Sequence, residues 1–123
     1  MLEQMLPPQL QIYNDSIKPI SHYEQYIDVI STSEMLTYAK QAQFIVSSTR
    51  EIVDDLNVNV ERFEEFLSTL DDDYDMLEKF YNTFLPKNSQ EEEIKKITDK
   101  LLTNLVLLQN DISVILSKLN DNN

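Results

Sequence analysis

No glycine occurs anywhere in these 123 residues, and the four prolines stand at 7, 8, 19 and 86. Without glycine the left-handed turns that hairpins and compact α/β loops depend on are hard to make, so the chain must be assembled from few, simple connections. Residues 20–85 hold no helix-breaking residue, which leaves a long window for helix. The fold class that follows is all-α.

The apolar pattern inside that window repeats by four and three residues through Met35, Ala39, Ala42, Val46, Thr49, Val53, Leu56, Val60, Phe63, Leu67, Leu70, Tyr74, Leu77, Tyr81 and Phe84. Thr49 is the only polar member. A sustained heptad repeat is the period at which helices pack lengthwise against partners. The neighbouring row, Tyr38, Ile45, Ile52, Asn59, Phe66, Asp73 and Phe80, is also mostly apolar. The buried stripe is therefore nearer three positions per heptad than two, which implies more than one neighbouring helix.

Boundaries follow from proline and capping signals. Pro86 stops the long helix, and Ser89 with Glu92 has the capping-box spacing for the next one, whose first turn carries Glu91, Glu92 and Glu93. That helix repeats the heptad as Ile94, Thr98, Leu101, Leu105, Leu108, Ile112, Ile115 and Leu119. A connection this short makes the two helices antiparallel neighbours. Ser21 with Glu24 and Ser31 with Glu34 mark two further helix starts. The expectation is an elongated antiparallel helical hairpin or coiled coil: a short helix over about 21–30, a long one over about 32–85 and a C-terminal one over about 90–119. Residues 1–18, broken by Pro7-Pro8 and Asn14-Asp15-Ser16, read as a loosely ordered arm before a single helical domain over 19–123.

Composition narrows the function. The chain has no Cys or Trp and one histidine, His22, little material for a thiolate site or metal cluster. Acidic residues outnumber basic ones by 22 to 10, giving a net charge of −12, the wrong sign for direct nucleic-acid binding. Apolar runs do not exceed four residues, against about 20 needed to span a bilayer, so no membrane insertion is expected. The start has no basic n-region followed by an apolar run, so no secretion signal is read there. The run Asp71-Asp72-Asp73-Tyr74-Asp75 lacks the glycine and closing glutamate of a calcium loop and reads as solvated helix face. His22 has no evident nucleophile and orienting acid, and reads as a surface or partner-contact histidine. The chain is thus expected to be no enzyme and to need no cofactor, metal or small-molecule ligand.

A C-terminal helix of about 30 residues covers only residues 55–85 of a straight long helix, leaving the apolar face of residues 35–54 for another chain. The candidate partner-binding seam is Ala42, Ile45, Val46, Ile52, Val53, Leu56, Val60, Phe63, Leu67, Leu70, Leu101, Leu105, Leu108, Ile112 and Ile115. Self-association of so acidic a chain concentrates repulsion, so a hetero-oligomer with other helical coiled-coil subunits is the expected assembly.

Residues 105–119, LVLLQNDISVILSKL, resemble the end of KxDL-motif proteins, with the signature reading Gln109-Asn110-Asp111-Ile112. Residues 59–67, NVERFEEFL, followed by Tyr74-Asp75-Met76-Leu77, resemble the central helix of fungal cappuccino-like subunits. Both families supply small helical subunits to the biogenesis of lysosome-related organelles complex and the related lysosome-positioning complex. The resemblance implies a non-catalytic adaptor in endosomal or lysosomal (vacuolar) vesicle trafficking, cytoplasmic and held at the organelle through partners. The physical features alone equally fit a kinetochore, spindle or transcription-coactivator subunit, with a nuclear location, or a self-contained helical binding protein with an internal ligand site.

Overall fold

The computed structural model describes residues 8–55 and 59–121. Five helices follow one another: α1 (Pro8–Ser21), α2 (Tyr23–Tyr26), α3 (Thr32–Ile52), α4 (Val60–Thr83) and α5 (Ser89–Asp121), with one 3-10 turn at Val53–Asp55 after α3. No strand occurs among the described residues. The protein is all-α.

Contacts along the helices fix their directions. Gln90 bonds Ser33 near the start of both α3 and α5, and Arg50 bonds Asp111 through Nε at 2.9 Å far down both, so α3 and α5 run parallel. Lys95 donates to the Phe84 carbonyl at 3.0 Å, and Gln109 donates to Asp71, so α4 and α5 are antiparallel. Tyr13 of α1 meets Phe66 and Asp73, and Tyr23, just after α1, meets Phe80 and Phe84, so α1 follows α4 in the same direction. Helix α3 packs against α1 and α5, and α4 packs against α5 and more lightly α1, whereas α3 and α4 scarcely meet. The four longer helices therefore form a bundle with α3 and α4 on opposite corners.

This arrangement differs from a straight helix over 32–85. Helix α3 ends at Ile52 and passes into the 3-10 turn at Val53–Asp55, and α4 starts at Val60, where the extended Asn59 caps it by accepting from the Arg62 N–H at 2.9 Å. The local sequence explains the break. Asp54, Asp55, Asn57 and Asn59 crowd six positions with short polar side chains that compete for backbone groups and favour caps over helix interiors. Packing completes the explanation, because folding back lays the apolar face of α3 against α5 and α1.

Residues 8–18 are likewise not a loose arm. Tyr13, Ile17 and Ile20 stand at i, i+4 and i+7 on one face of α1 and are buried in the core. Pro8 opens the helix, the position where its missing N–H costs least. Pro19 lies in the last turn, where it leaves only the Asp15 carbonyl without its partner, on an exposed residue. Ser16 is buried but returns its hydroxyl to the Ile12 carbonyl at 2.8 Å.

The expected short helix over 21–30 shrinks to the single turn of α2, and Ser21 does not cap it; the Ser21 hydroxyl lies 2.9 Å from His22 Nδ1 instead. The Ser31/Glu34 capping box forms with both of its bonds at 3.1 Å. At α5 the cap falls one residue earlier than Ser89/Glu92. Asn88 accepts from the Glu91 N–H at 2.9 Å, while the Glu91 carboxylate accepts from the Lys87 N–H at 2.9 Å.

Candidate functional site

The heptad positions of the expected seam are largely spent inside the chain. Ala42, Val46, Val53, Phe63, Leu70, Leu101, Leu105, Leu108 and Ile112 are buried, and Ile45, Val60, Leu67 and Ile115 are half-buried against the same core. Ile52 stands 37% exposed, and Leu56 lies outside the described residues. The seam residues come together around one core rather than on a free surface.

On α4 the buried face is rotated from the simple heptad. Phe63, Leu70 and Leu77 point inward together with Phe66, Asp73 and Phe80, the row that meets α1 and Tyr23, so the expected second neighbouring helix is α1 of the same chain. Asp73 is therefore not solvated: it is 8% exposed and accepts a 2.8 Å hydrogen bond from the Tyr13 hydroxyl. Burial raises the carboxyl above its ordinary value, opposed by the Tyr13 hydrogen bond and by the charges of His22 and Lys18. Burial also pushes the Tyr13 phenol well up, with the Asp73 charge and hydrogen bond adding to it, which keeps Tyr13 the donor. A single acid between Phe66 and Phe80 at seven-residue spacing was the sequence signal for this buried pair.

The same rotation turns Leu67, Tyr74 and Tyr81 to the flank of α4 that borders α5. Tyr74 and Tyr81, with Leu102, Val106 and Leu107 of α5, line an open groove of about 470 Å³ whose rim carries Glu78 and Asp99. Lys95 sits over the Tyr81 ring, 4.9 Å from its centre, at the upper end of this groove. Lower on α5, the exposed residues Thr103, Val106, Leu107, Asn110, Ser113, Val114 and Ser117 include no charged side chain, and Val114 is 54% exposed. This face covers about 20 Å of helix. A neutral, partly apolar face of that length stands beside the acid-rich exposed surface of α4; α3 also carries no acid between Glu34 and Glu51, but it keeps Lys40 and Arg50 among its outer residues. Sequence periodicity misses it, since it lies behind the heptad positions rather than on them.

Other features offer less. His22 and Ser21 border a shallow cavity of about 200 Å³ with Tyr23, Met76, Lys79 and Phe80, but Ser21 is buried and, among the described residues, no carboxylate is hydrogen-bonded to the imidazole to orient it as a base. Among the described residues no helix is long and apolar enough to cross a membrane, and no three acids or histidines converge on a metal site. Comparison with protein-family models, with curated proteins and with solved structures returns no match for this chain.

Proposed function

We propose that this protein is a non-catalytic, protein-binding subunit that assembles with other helical chains through the outer face of its α4–α5 hairpin. The observation that carries this reading is the uncharged, partly apolar row from Thr103 to Ser117, exposed beside the acidic surface of α4. Partner contact then works differently from the burial of a long seam. The heptads build a bundle from the chain's own helices, and the bundle holds a rigid surface for a second protein.

What supports placing that assembly in endosomal or lysosomal trafficking is the resemblance of residues 59–77 and 105–119 to subunits of those complexes. These stretches belong to α4 and α5, the hairpin that carries the face. On this reading the protein is cytoplasmic and reaches the organelle through its partners.

The test is purification of the tagged chain from its own cell, beside the Val106→Asp and Val114→Asp variants. Helical partner proteins should accompany the parent chain in fixed proportion and be lost from both variants, and the tagged chain should colocalise with endosomal or lysosomal markers. Recovery of the parent chain alone contradicts the subunit reading. A nuclear location contradicts the trafficking assignment and leaves the subunit reading in place.

A further inference from the structure

The two flanks of this face differ in charge, and the difference describes what sits on it. On the α4 side, Asp71, Asp75 and Glu78 stand at i, i+4 and i+7, so they form one exposed row along the helix. Asp71 touches α5 through Gln109, and Glu78 lines the groove beside Val106, which places the row along the edge of the face. Lys79 is the only exposed cation on α4, and it lines the cavity beside α2 instead of this groove. On the α3 side Arg50 pairs with Asp111 and Lys40 lies 3.4 Å from Glu93, while Lys100 and Lys118, each seven residues on from one of those acids, are exposed on the same side of α5. The face is thus an apolar floor with an acidic edge on one side only.

Building on the binding role proposed above, we infer that the occupant is an amphipathic helix of a partner chain whose apolar stripe is flanked by Lys or Arg along the edge lying over α4. A helix laid in the groove between α4 and α5 sets its apolar side chains against Tyr74, Tyr81, Leu102, Val106 and Val114, the helix-in-groove mode of recognition. Cations on one flank meet Asp71, Asp75 and Glu78, and acids there are repelled, which fixes both the choice of partner and its orientation. A second copy of this chain is a poorer occupant, because it brings its own acidic α4 edge and another net charge of −12.

Synthetic probes test this on the purified full chain by fluorescence polarisation. The first is an 18-residue helix with a leucine stripe and lysines on one flank; the second replaces those lysines with glutamate; the third scrambles the first so that no stripe survives. The lysine-flanked stripe should bind saturably, and the other two at least about tenfold more weakly. Its affinity should fall as salt is raised. Val106→Asp and Val114→Asp should each cost about tenfold or more with an unchanged circular dichroism spectrum, since both side chains are exposed. The Asp75→Lys/Glu78→Lys variant should shift preference toward the glutamate-flanked probe. Equal binding of the scrambled probe, unchanged binding by the variants, or no binding at about 1 mM probe overturns the inference. So does a dimer of the parent chain, seen by light scattering, that Val114→Asp dissolves, because it gives the face to a second copy. The two readings fail separately: cellular partners retained by Val106→Asp and Val114→Asp defeat this surface, whereas a parent chain that carries no partner defeats the subunit role.

Discussion

Tyr13 and Asp73 show how one buried pair joins distant parts of the chain. The phenol keeps its proton and gives it in a hydrogen bond to a carboxylate that α1 has helped to remove from water. Removing the donor strands the acceptor, so Tyr13→Phe should lower unfolding stability by about 1–3 kcal/mol, read by chemical denaturation. Asp73→Asn tests the charge itself. Because the folded carboxyl titrates above its ordinary value, at pH values between the two the native state holds a proton that the unfolded chain has released. The contribution of this group to stability is thus fully present below the ordinary carboxylate pKa and is lost as pH rises through the raised folded value. Asparagine stays neutral throughout, so the melting temperature of Asp73→Asn relative to the parent should rise between about pH 4 and pH 7. A gap that shrinks over that range contradicts the assignment. Residue patterns made part of this core legible: Thr49 and Thr98, the polar members of the two heptad runs, are buried and return their hydroxyls to the carbonyls of Ile45 and Ile94 at 2.7 and 2.8 Å. Asp73 was not legible in the same way, because its partner lies 60 positions away in a segment with little local signal.

Among the elements, those marked by strong local chemistry are readable and those set by tertiary packing are not. Pro86 and the polar residues after it place the α4–α5 hairpin, and the Ser31/Glu34 box starts α3 where its spacing requires. The break between α3 and α4 is harder to read, because the apolar repeat keeps its phase across Val53, Leu56 and Val60 and conceals an interruption made by short polar residues. Asn59 is the residue that shows it. In a continuous helix Asn59→Ala replaces a poor helix former with the best one and stabilises; at an N-cap it removes a bond to the Arg62 N–H and should cost about 1 kcal/mol, or roughly 4 °C in melting temperature. The sign of that change decides between the two. Helix α1 was missed because its apolar positions are few and two prolines frame them, yet the rest of the bundle supplies the cover that its own sequence cannot.

For the molecule as a whole, folding back changes what the apolar surface is for. An extended rod would spend its heptads on other chains, whereas this bundle spends them on itself and leaves exposed a smaller face on α5, the one proposed above to bind a partner. Truncating the shared core should therefore unfold rather than merely dissociate: Ile112→Ala, at a residue with no solvent exposure, should cost about 2–5 kcal/mol in the isolated chain. Val106→Asp, on the exposed face, should change stability by no more than about 0.5 kcal/mol. The outer face itself was invisible to periodicity, because only packing decides which non-heptad residues lie free of charge and which are crossed by α1 or α3. The most direct measurement is small-angle X-ray scattering of the purified chain. Helix α5, with 33 residues, sets the length of the bundle, so a monomer with a longest dimension of about 50–60 Å is expected. A particle of about 80 Å or more, the length of a continuous helix over 32–85, would contradict it.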